Sequence, residues 1–361
     1  MTTPVVPAVE PLPAGLTSLA DHEAHAGMRL DDNAWAYFSG GAADEITLRA
    51  NRQAWDELRL LPRVLRPLRG FTTQVELLGR MLAHPLLVAP MAYLRMAHAD
   101  GETALAHAAA AQSAGLVLST QASQPMEAVA QAFAAYPERG PLWFQLYLQA
   151  DRAYTRQLIQ RAEAAGFEAL VLTVDAPAQG VRDRERRAGF QLPAGISAVN
   201  LADAPAAASL LDTAPTWADV EWLMGATRLP VLLKGVLNPA DARQAASLGV
   251  AALIVSNHGG RVLDTAVSTV WALPRVADAV QGAVPLLVDG GLRRGTDVVK
   301  ALALGARAVL VGRPCVFGLA NAGAVGAAHV LRLLRDEFEV AQALCGCAAP
   351  SELMPSLVAG Q

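Results

Sequence analysis

The sequence predicts an α/β fold: one (β/α)8 TIM barrel with an N-terminal helical extension. Two observations carry the prediction. Eight short, near-continuous apolar runs are spread along the chain, and four of them follow an Ala-rich helical stretch that closes on a glycine. Strands buried on both faces read as unbroken apolar runs, and strands alternating with helices form parallel sheets. A third observation separates a closed from an open sheet. No Gly-x-Gly-x-x-Gly turn follows the first run and no Walker A motif occurs, so the common nucleotide-binding open sheets lack their signatures.

Taken in order, residues 1–80 are expected to form the helical cap, with helices over Asp32–Phe38 and Glu45–Trp55. The first barrel strand is PLLVAP (85–90), and the second is LVLST after Ala114-Gly115. LWFQLY (142–147) is the third, and ALVLTVD after Ala165-Gly166 the fourth. PVLLKGV (230–236) is the fifth, and ALIVSNHG after Leu248-Gly249 the sixth. PLLVDGG (285–291) and AVLVGRP after Leu304-Gly305 complete the set. The four lead-in glycines read as residues that end helices. The longest interval, 190–229, starts Ala/Pro/Asn-rich and is expected to be a mobile loop. One domain is expected to span 1–361.

Composition narrows the function classes. The chain has 361 residues, 53% hydrophobic and 17% charged, which excludes a disordered or fibrous protein. With 29 basic and 33 acidic residues the formal charge is −4, which gives no electrostatic reason to bind nucleic acid or an acidic membrane. Any anion must therefore be held locally. No run approaches the roughly 18 to 20 apolar residues of a membrane span, and Met1–Ala20 lacks the basic and apolar regions of a signal peptide. Three cysteines, Cys315, Cys345 and Cys347, make no disulfide framework, and a reducing cytoplasm is the expected setting. Cys345-Gly346-Cys347 lacks the second half of a zinc site, and His22-Glu23-Ala24-His25 lacks the spacing of a metalloprotease helix. No metal is expected.

A barrel places its chemistry at the C-terminal ends of its strands. Polar residues stand at nearly every such end: Ser119, Gln145 and Tyr147, Thr173 and Asp175, Lys234, Ser256-Asn257-His258, Asp289, and Gly312-Arg313. One polar group at a strand end is as readily a helix cap, but a ring of them is a site. In SNHGGRVLD (Ser256–Asp264), His258 is suited to move a proton near neutral pH, and Arg261 to fork onto a carboxylate. The glycines after it would let the backbone approach a flat ligand. His84, His98, His107 and His329 lack such a setting and read as structural. VDGGLRRGTD (Val288–Asp297) with LVGRP (Leu310–Pro314) has the form of a strand-seven and strand-eight phosphate site. Gly290, Gly291, Gly312, Arg293 and Arg313 would supply its amides and charge. Lys234 admits three readings: an ion pair at the pocket rim, a stabiliser of an anionic cofactor ring, or a Schiff-base lysine.

Together these segments resemble the FMN-dependent 2-hydroxy acid oxidases and dehydrogenases, a family that includes glycolate oxidase, lactate oxidase and mandelate dehydrogenase. The resemblance covers about Asn33 to Leu353. It takes in YFSGGAADE with TLRAN (Tyr37–Asn51), LPRVL (Leu61–Leu65), APMA with AHADGE (Ala89–Glu102) and FQLY (Phe144–Tyr147). LTVDAPxxGxRDxE (Leu172–Glu185), LLKGV (Leu232–Val236), SNHGGR and DGGxRRGTDVxKALALGA complete it.

The resemblance implies an FMN held in the barrel mouth. Ala89, Pro90, Met91 and Ala92 would lie against its ring, with Ser119, Gln145, Thr173 and Ser256 at the ring edge. Lys234 would face the end of the ring where negative charge collects. Asp289, Gly290, Gly291, Arg293, Gly312 and Arg313 would hold the ribityl chain and phosphate. Arg182 and Arg261, helped by Tyr37, would clamp a substrate carboxylate, and Tyr147 would bond the 2-hydroxyl. His258 would be the base, with Asp175 orienting it.

Two departures bear on specificity. Gln121 stands where short-chain oxidases of the family tend to carry a tryptophan, and Gln179 where a leucine is common. A wider, more polar pocket follows, suited to an aryl or otherwise bulky (S)-2-hydroxy acid, with lactate or glycolate the alternative substrates. Oxygen is the default electron acceptor, because neither a membrane-anchoring insertion nor a haem domain is present in the sequence; a different acceptor is the alternative. A homo-oligomer, a tetramer by analogy with the family, is expected. The competing class is a cofactor-free lyase or aldolase that uses Lys234 as a Schiff base, and a non-catalytic phosphate-binding barrel is a third reading.

Overall fold

All eight expected strands form, and their order closes into a ring. In the computed structural model, which describes residues 10–204, 211 and 214–359, they are β4 (Leu86–Val88), β5 (Gly115–Ser119), β6 (Leu142–Leu146), β7 (Ala169–Thr173), β8 (Val231–Lys234), β9 (Ala252–Val255), β10 (Leu286–Val288) and β11 (Ala308–Val311). Each pairs in parallel with the next, and β11 pairs with β4, Leu87 opposite Leu310, to shut the barrel. The apolar runs are unbroken because both faces are buried. Leu87, Val117, Trp143, Val171, Leu232, Ile254, Leu287 and Leu310 share one buried cluster inside the barrel. Their strand neighbours, such as Leu86, Leu116, Phe144, Leu170 and Leu233, belong to the larger cluster packed under the helices.

The cap differs from a purely helical extension. Helices α2 (Asp32–Ser39) and α3 (Ile46–Glu57) match expectation, and α1 (Leu19–Arg29) precedes them, with the Ser18 side chain accepting from the Asp21 amide. The rest of the first 80 residues contains short strands. β1 (Arg59–Leu60) pairs antiparallel with β12 (Val358–Ala359), tying the cap to the end of the chain. β2 (Val75–Leu77) and β3 (Arg80–Leu82) form a hairpin whose Val75, Leu77 and Leu82 join the cluster inside the barrel and plug its lower end. Residues 1–9, within the N-terminal segment read as no signal peptide, lie outside the described residues.

The glycines divide. Gly166 and Gly249 take the left-handed conformation as helix caps. Gly305 follows the cap residue Leu304. Gly115 instead is the first residue of β5, because α4 (Gly101–Ala111) ends earlier, at a Gln112 cap. The interval 190–229 also departs from a plain loop. It contains helix α8 (Trp217–Ala226), started by a capping box in which Thr216 and Asp219 satisfy each other's backbone amides. Part of that interval, 205–210 and 212–213, lies outside the described residues.

The C-terminal helix α12 (Arg313–Leu344) is long and apolar enough to cross a membrane by length and composition, yet most of that window is buried. It bends where Ala322 and Gly323 leave helical geometry, and it packs against α1, α4 and α11 (Gly295–Ala303).

One buried histidine makes stability depend on acid. His84 is 1% exposed and its Nε2 lies 2.7 Å from the Gln112 carbonyl. Burial pushes its pKa from 6.5 down to about 4. The unfolded chain therefore binds a proton on this group at higher pH than the folded one, so its stabilisation is full above about pH 6.5 and lost as pH falls toward 4. At 1.36 kcal/mol per unit, the loss is on the order of 3 kcal/mol. Urea titrations at pH 7 and pH 4.5 check this: His84→Gln should flatten the slope, and an unchanged slope would contradict the assignment.

Candidate active site

The expected residues converge at the C-terminal mouth of the barrel, around a cleft with about 1060 Å³ of free space, its open mouth included. Ala89, Pro90, Met91 and Ala92 form one wall as the chain leaves β4. Ser119, Gln145 and Thr173, at the ends of β5, β6 and β7, are linked: Ser119 Oγ donates to Gln145 Oε1 at 3.2 Å, and Gln145 Nε2 to Thr173 Oγ1 at 3.0 Å. At the end of β8, Lys234 Nζ donates to Ser256 Oγ at 2.8 Å and pairs with Asp289 Oδ2 at 3.1 Å. Ser256 therefore stands behind the cleft wall as a partner of Lys234, outside the cleft lining.

Burial alone would lower the Lys234 pKa, but Asp289 and Asp175 outweigh it and hold the group above its ordinary value. Lys234 is a fixed ammonium. A Schiff-base lysine needs a free amine, so this geometry removes the basis of the lyase reading.

Two features fit FMN. Asp289 Oδ1 is buried and has no hydrogen-bond partner among the described residues, which suits a ligand hydroxyl. Arg313 donates only to carbonyl oxygens, those of Phe38 (3.0 Å), Gly259 (2.9 Å) and Gly40 (2.8 Å), with no carboxylate partner among the described residues. Burial, then the neighbouring Arg261 and Arg293 charges, pull its pKa to about 9. Arg293 is also lowered by burial and pairs with Glu23 at 3.4 Å. Arg313, beside Gly290, Gly291, Gly312 and Arg293, is short of negative charge, and a phosphate supplies it.

On the opposite side lies the candidate substrate half. His258 Nδ1 is 3.0 Å from Asp175 Oδ1. This leaves Nε2 as the nitrogen free to take a proton, with Asp175 behind the ring rather than in the cleft lining. Burial pushes the Asp175 pKa up, but His258 and Lys234 pull it further down, and the net is a persistent carboxylate. Gly235 permits the pair: its φ is +111°, and a Cβ there would lie 2.4 Å from Asp175 Cβ. Gly260 serves packing rather than approach to a flat ligand, since a Cβ on it would meet the Leu48 amide of α3 at 2.6 Å.

Tyr147 is half-buried, and desolvation and the Asp175 charge raise its pKa, so the phenol keeps its proton as a donor. Arg261 Nη1 donates to the Tyr37 and Gly40 carbonyls at 2.6 and 2.8 Å, and its guanidinium sits 5.0 Å over the Tyr37 ring. Arg182 lines the cleft beside it, and its buried Nε has no partner among the described residues. Gln121 lines the same cleft.

Two residues escaped the sequence reading. Phe190 stacks on Tyr37 at 5.0 Å and 19°. Glu185 joins the two cleft arginines, accepting from Arg182 at 3.1 Å and Arg261 at 3.2 Å. Its signal was the i, i+3 spacing to Arg182. The remaining histidines serve structure: His22 meets His329 at 2.9 Å, His25 meets Asn321 at 3.0 Å, and His98 pairs with Glu10 at 2.8 Å. Among the described residues no group of histidine, cysteine or acidic side chains is placed to hold a metal. Cys315, Cys345 and Cys347 are buried and free.

Comparison with known proteins identifies the family. The profile of the FMN-dependent dehydrogenase family matches residues 26–360. L-lactate oxidase of Roseobacter sp. is 47% identical, with 95% of each chain covered. L-lactate oxidase of Nostoc sp. is 44% identical over 94% of this chain and 97% of its own. Glycolate oxidase 1 of Zea mays is 43% identical over 94% of both. Among solved structures, mandelate oxidase with benzoylformic acid superimposes with a TM-score of 0.87 at 42% identity, over 93% of this chain and 96% of that one. A match of this extent, over a barrel with these residues at its mouth, places the chain in the FMN-dependent dehydrogenase family as an FMN-dependent 2-hydroxy acid oxidase.

Proposed function

We propose that the protein oxidises an aryl or similarly bulky (S)-2-hydroxy acid to the 2-oxo acid and passes the electrons to oxygen. The observation that carries the reading is the pairing of His258 with Asp175 at 3.0 Å in a cleft also lined by Arg182, Arg261 and Tyr147. Bound FMN supplies the two-electron acceptor. Lys234, Asp289, Arg293 and Arg313 are the charged groups that would hold it, Lys234 as a fixed positive charge. Arg182 and Arg261 bind the substrate carboxylate, and the neutral Tyr147 phenol donates to the substrate oxygen. His258 Nε2 takes the substrate proton, and Asp175 stabilises the imidazolium that results.

The bulky substrate is supported by Gln121 at the cleft, a shorter side chain than an indole. The lactate oxidase relatives favour a second reading, a short-chain acid, by the same chemistry. We place the protein in the cytoplasm, which its free cysteines suit, as a homotetramer by analogy with the family.

Specificity decides between the two substrates. The wild-type protein is expected to show higher kcat/KM for (S)-mandelate than for glycolate or (S)-lactate. Gln121→Trp should reverse the order, mainly by damaging the aryl substrate, because an indole fills the room a phenyl ring needs; a single methylene shifts discrimination by only about 1 to 3 kcal/mol. Wild-type preference for lactate, or a ratio unmoved by the substitution, would sink the aryl assignment and leave the flavin chemistry standing.

A further inference from the structure

The carboxylate clamp contains a third charge that binding and proton transfer leave unused. Glu185 lies on α7 (Asp183–Arg187), one turn beyond Arg182, and is 6% exposed. Its Oε1 accepts from Arg182 Nη1 at 3.1 Å and from Arg261 Nη2 at 3.2 Å. One carboxylate oxygen therefore spans two arginines that arrive on different loops, after β7 and after β9. Arg184, on the same short helix, fastens it to the cap by donating to Ser39 Oγ at 3.0 Å and pairing with Glu45.

The charge of this group is set by composition. Two guanidiniums and one carboxylate sum to +1, and the three side chains are only 16%, 15% and 7% exposed. At such burial an uncompensated charge is costly. A ligand with one carboxylate brings the clamp to zero, whereas a second carboxylate leaves an excess negative charge. Without Glu185 the clamp would carry +2 and suit a dianion. Arg261, moreover, is lowered by burial and by Arg182 beside it, a repulsion that Glu185 offsets.

We infer that Glu185 is a positioning residue that sets the clamp to a single positive charge and so restricts the site to monocarboxylic 2-hydroxy acids. The inference rests on the proposed substrate class and concerns ligand charge rather than turnover.

The test uses the FMN-loaded protein and two ligands of one shape, oxamate with one negative charge and oxalate with two, each titrated by its perturbation of the visible flavin spectrum. In Glu185→Gln the ratio Kd(oxamate)/Kd(oxalate) is expected to rise at least about tenfold over wild type, since a neutral side chain favours the dianion. Glu185→Asp keeps the charge but shortens the reach; both affinities should fall together, with the ratio held within about threefold. A merely structural role weakens both ligands alike. An unchanged ratio in Glu185→Gln overturns the inference, as does a tenfold change in Glu185→Asp; Glu185→Ala, also neutral, takes the place of the glutamine variant if that one does not retain FMN, with the same rise expected and an unchanged ratio again overturning the inference. If neither ligand perturbs the wild-type flavin, the substrate reading itself fails.

Discussion

Anaerobic flavin reduction by (S)-mandelate is expected to slow by at least about 10²- to 10⁴-fold when His258 is replaced by asparagine, with FMN and substrate still bound. The size follows from the role. His258 is held by Asp175 at Nδ1, so Nε2 alone is available to accept a proton, and an asparagine amide offers no comparable base. Retention of FMN is expected because the side chains suited to its phosphate, Arg293 and Arg313, are left in place by the substitution. His258 itself sits at a φ of +57°, a conformation that asparagine tolerates better than most residues, which makes it the least disruptive replacement. Unchanged reduction kinetics in a stopped-flow trace would remove His258 from the reaction.

Arg313→Glu is expected to weaken FMN binding at least about 100-fold, the usual penalty when one partner of a buried charged pair is removed. Here the loss is compounded. The new carboxylate would face the phosphate and also the three carbonyl oxygens that Arg313 now satisfies. Arg313→Lys separates the two effects, since it keeps the charge and surrenders the fork, and it should hold FMN with intermediate affinity. Equilibrium dialysis against FMN measures both variants, with circular dichroism to confirm folding. Stoichiometric FMN in folded Arg313→Glu would move the phosphate to another part of the molecule.

The parts of this fold that were legible from sequence are those where one physical constraint acts alone. Barrel strands are buried on both faces, so β7 or β9 can hardly be mistaken. Strand-end polar residues such as Lys234, Asp289 and His258 follow those runs immediately, and the barrel geometry then gathers them. Elements under mixed constraints were less legible. α8 lies in an Ala/Pro-rich interval whose composition reads as loop, and only the Thr216–Asp219 capping box marks its start. α1 follows a proline-rich segment in the same way. Glu185 falls in Asp-Arg-Glu-Arg-Arg, which by charge pattern is a solvated helix, yet the fold turns its glutamate inward between two arginines. Phe190 acquires its place only when the loop after α7 returns to the cap. The i, i+3 spacing marks only the Arg182 contact; Arg261 and Tyr37 come from distant parts of the chain, so no local pattern encodes their contacts with Glu185 and Phe190.

The most direct test of the central claim is anaerobic mixing of the FMN-loaded protein with (S)-mandelate and, separately, (S)-lactate, following the visible flavin absorbance and assaying the 2-oxo acid. The account predicts full bleaching with one 2-oxo acid formed per flavin, faster with mandelate, and recovery of the colour with hydrogen peroxide on admission of air. A flavin spectrum untouched by either acid, or a borohydride-trapped adduct on Lys234 with a keto acid, would contradict it.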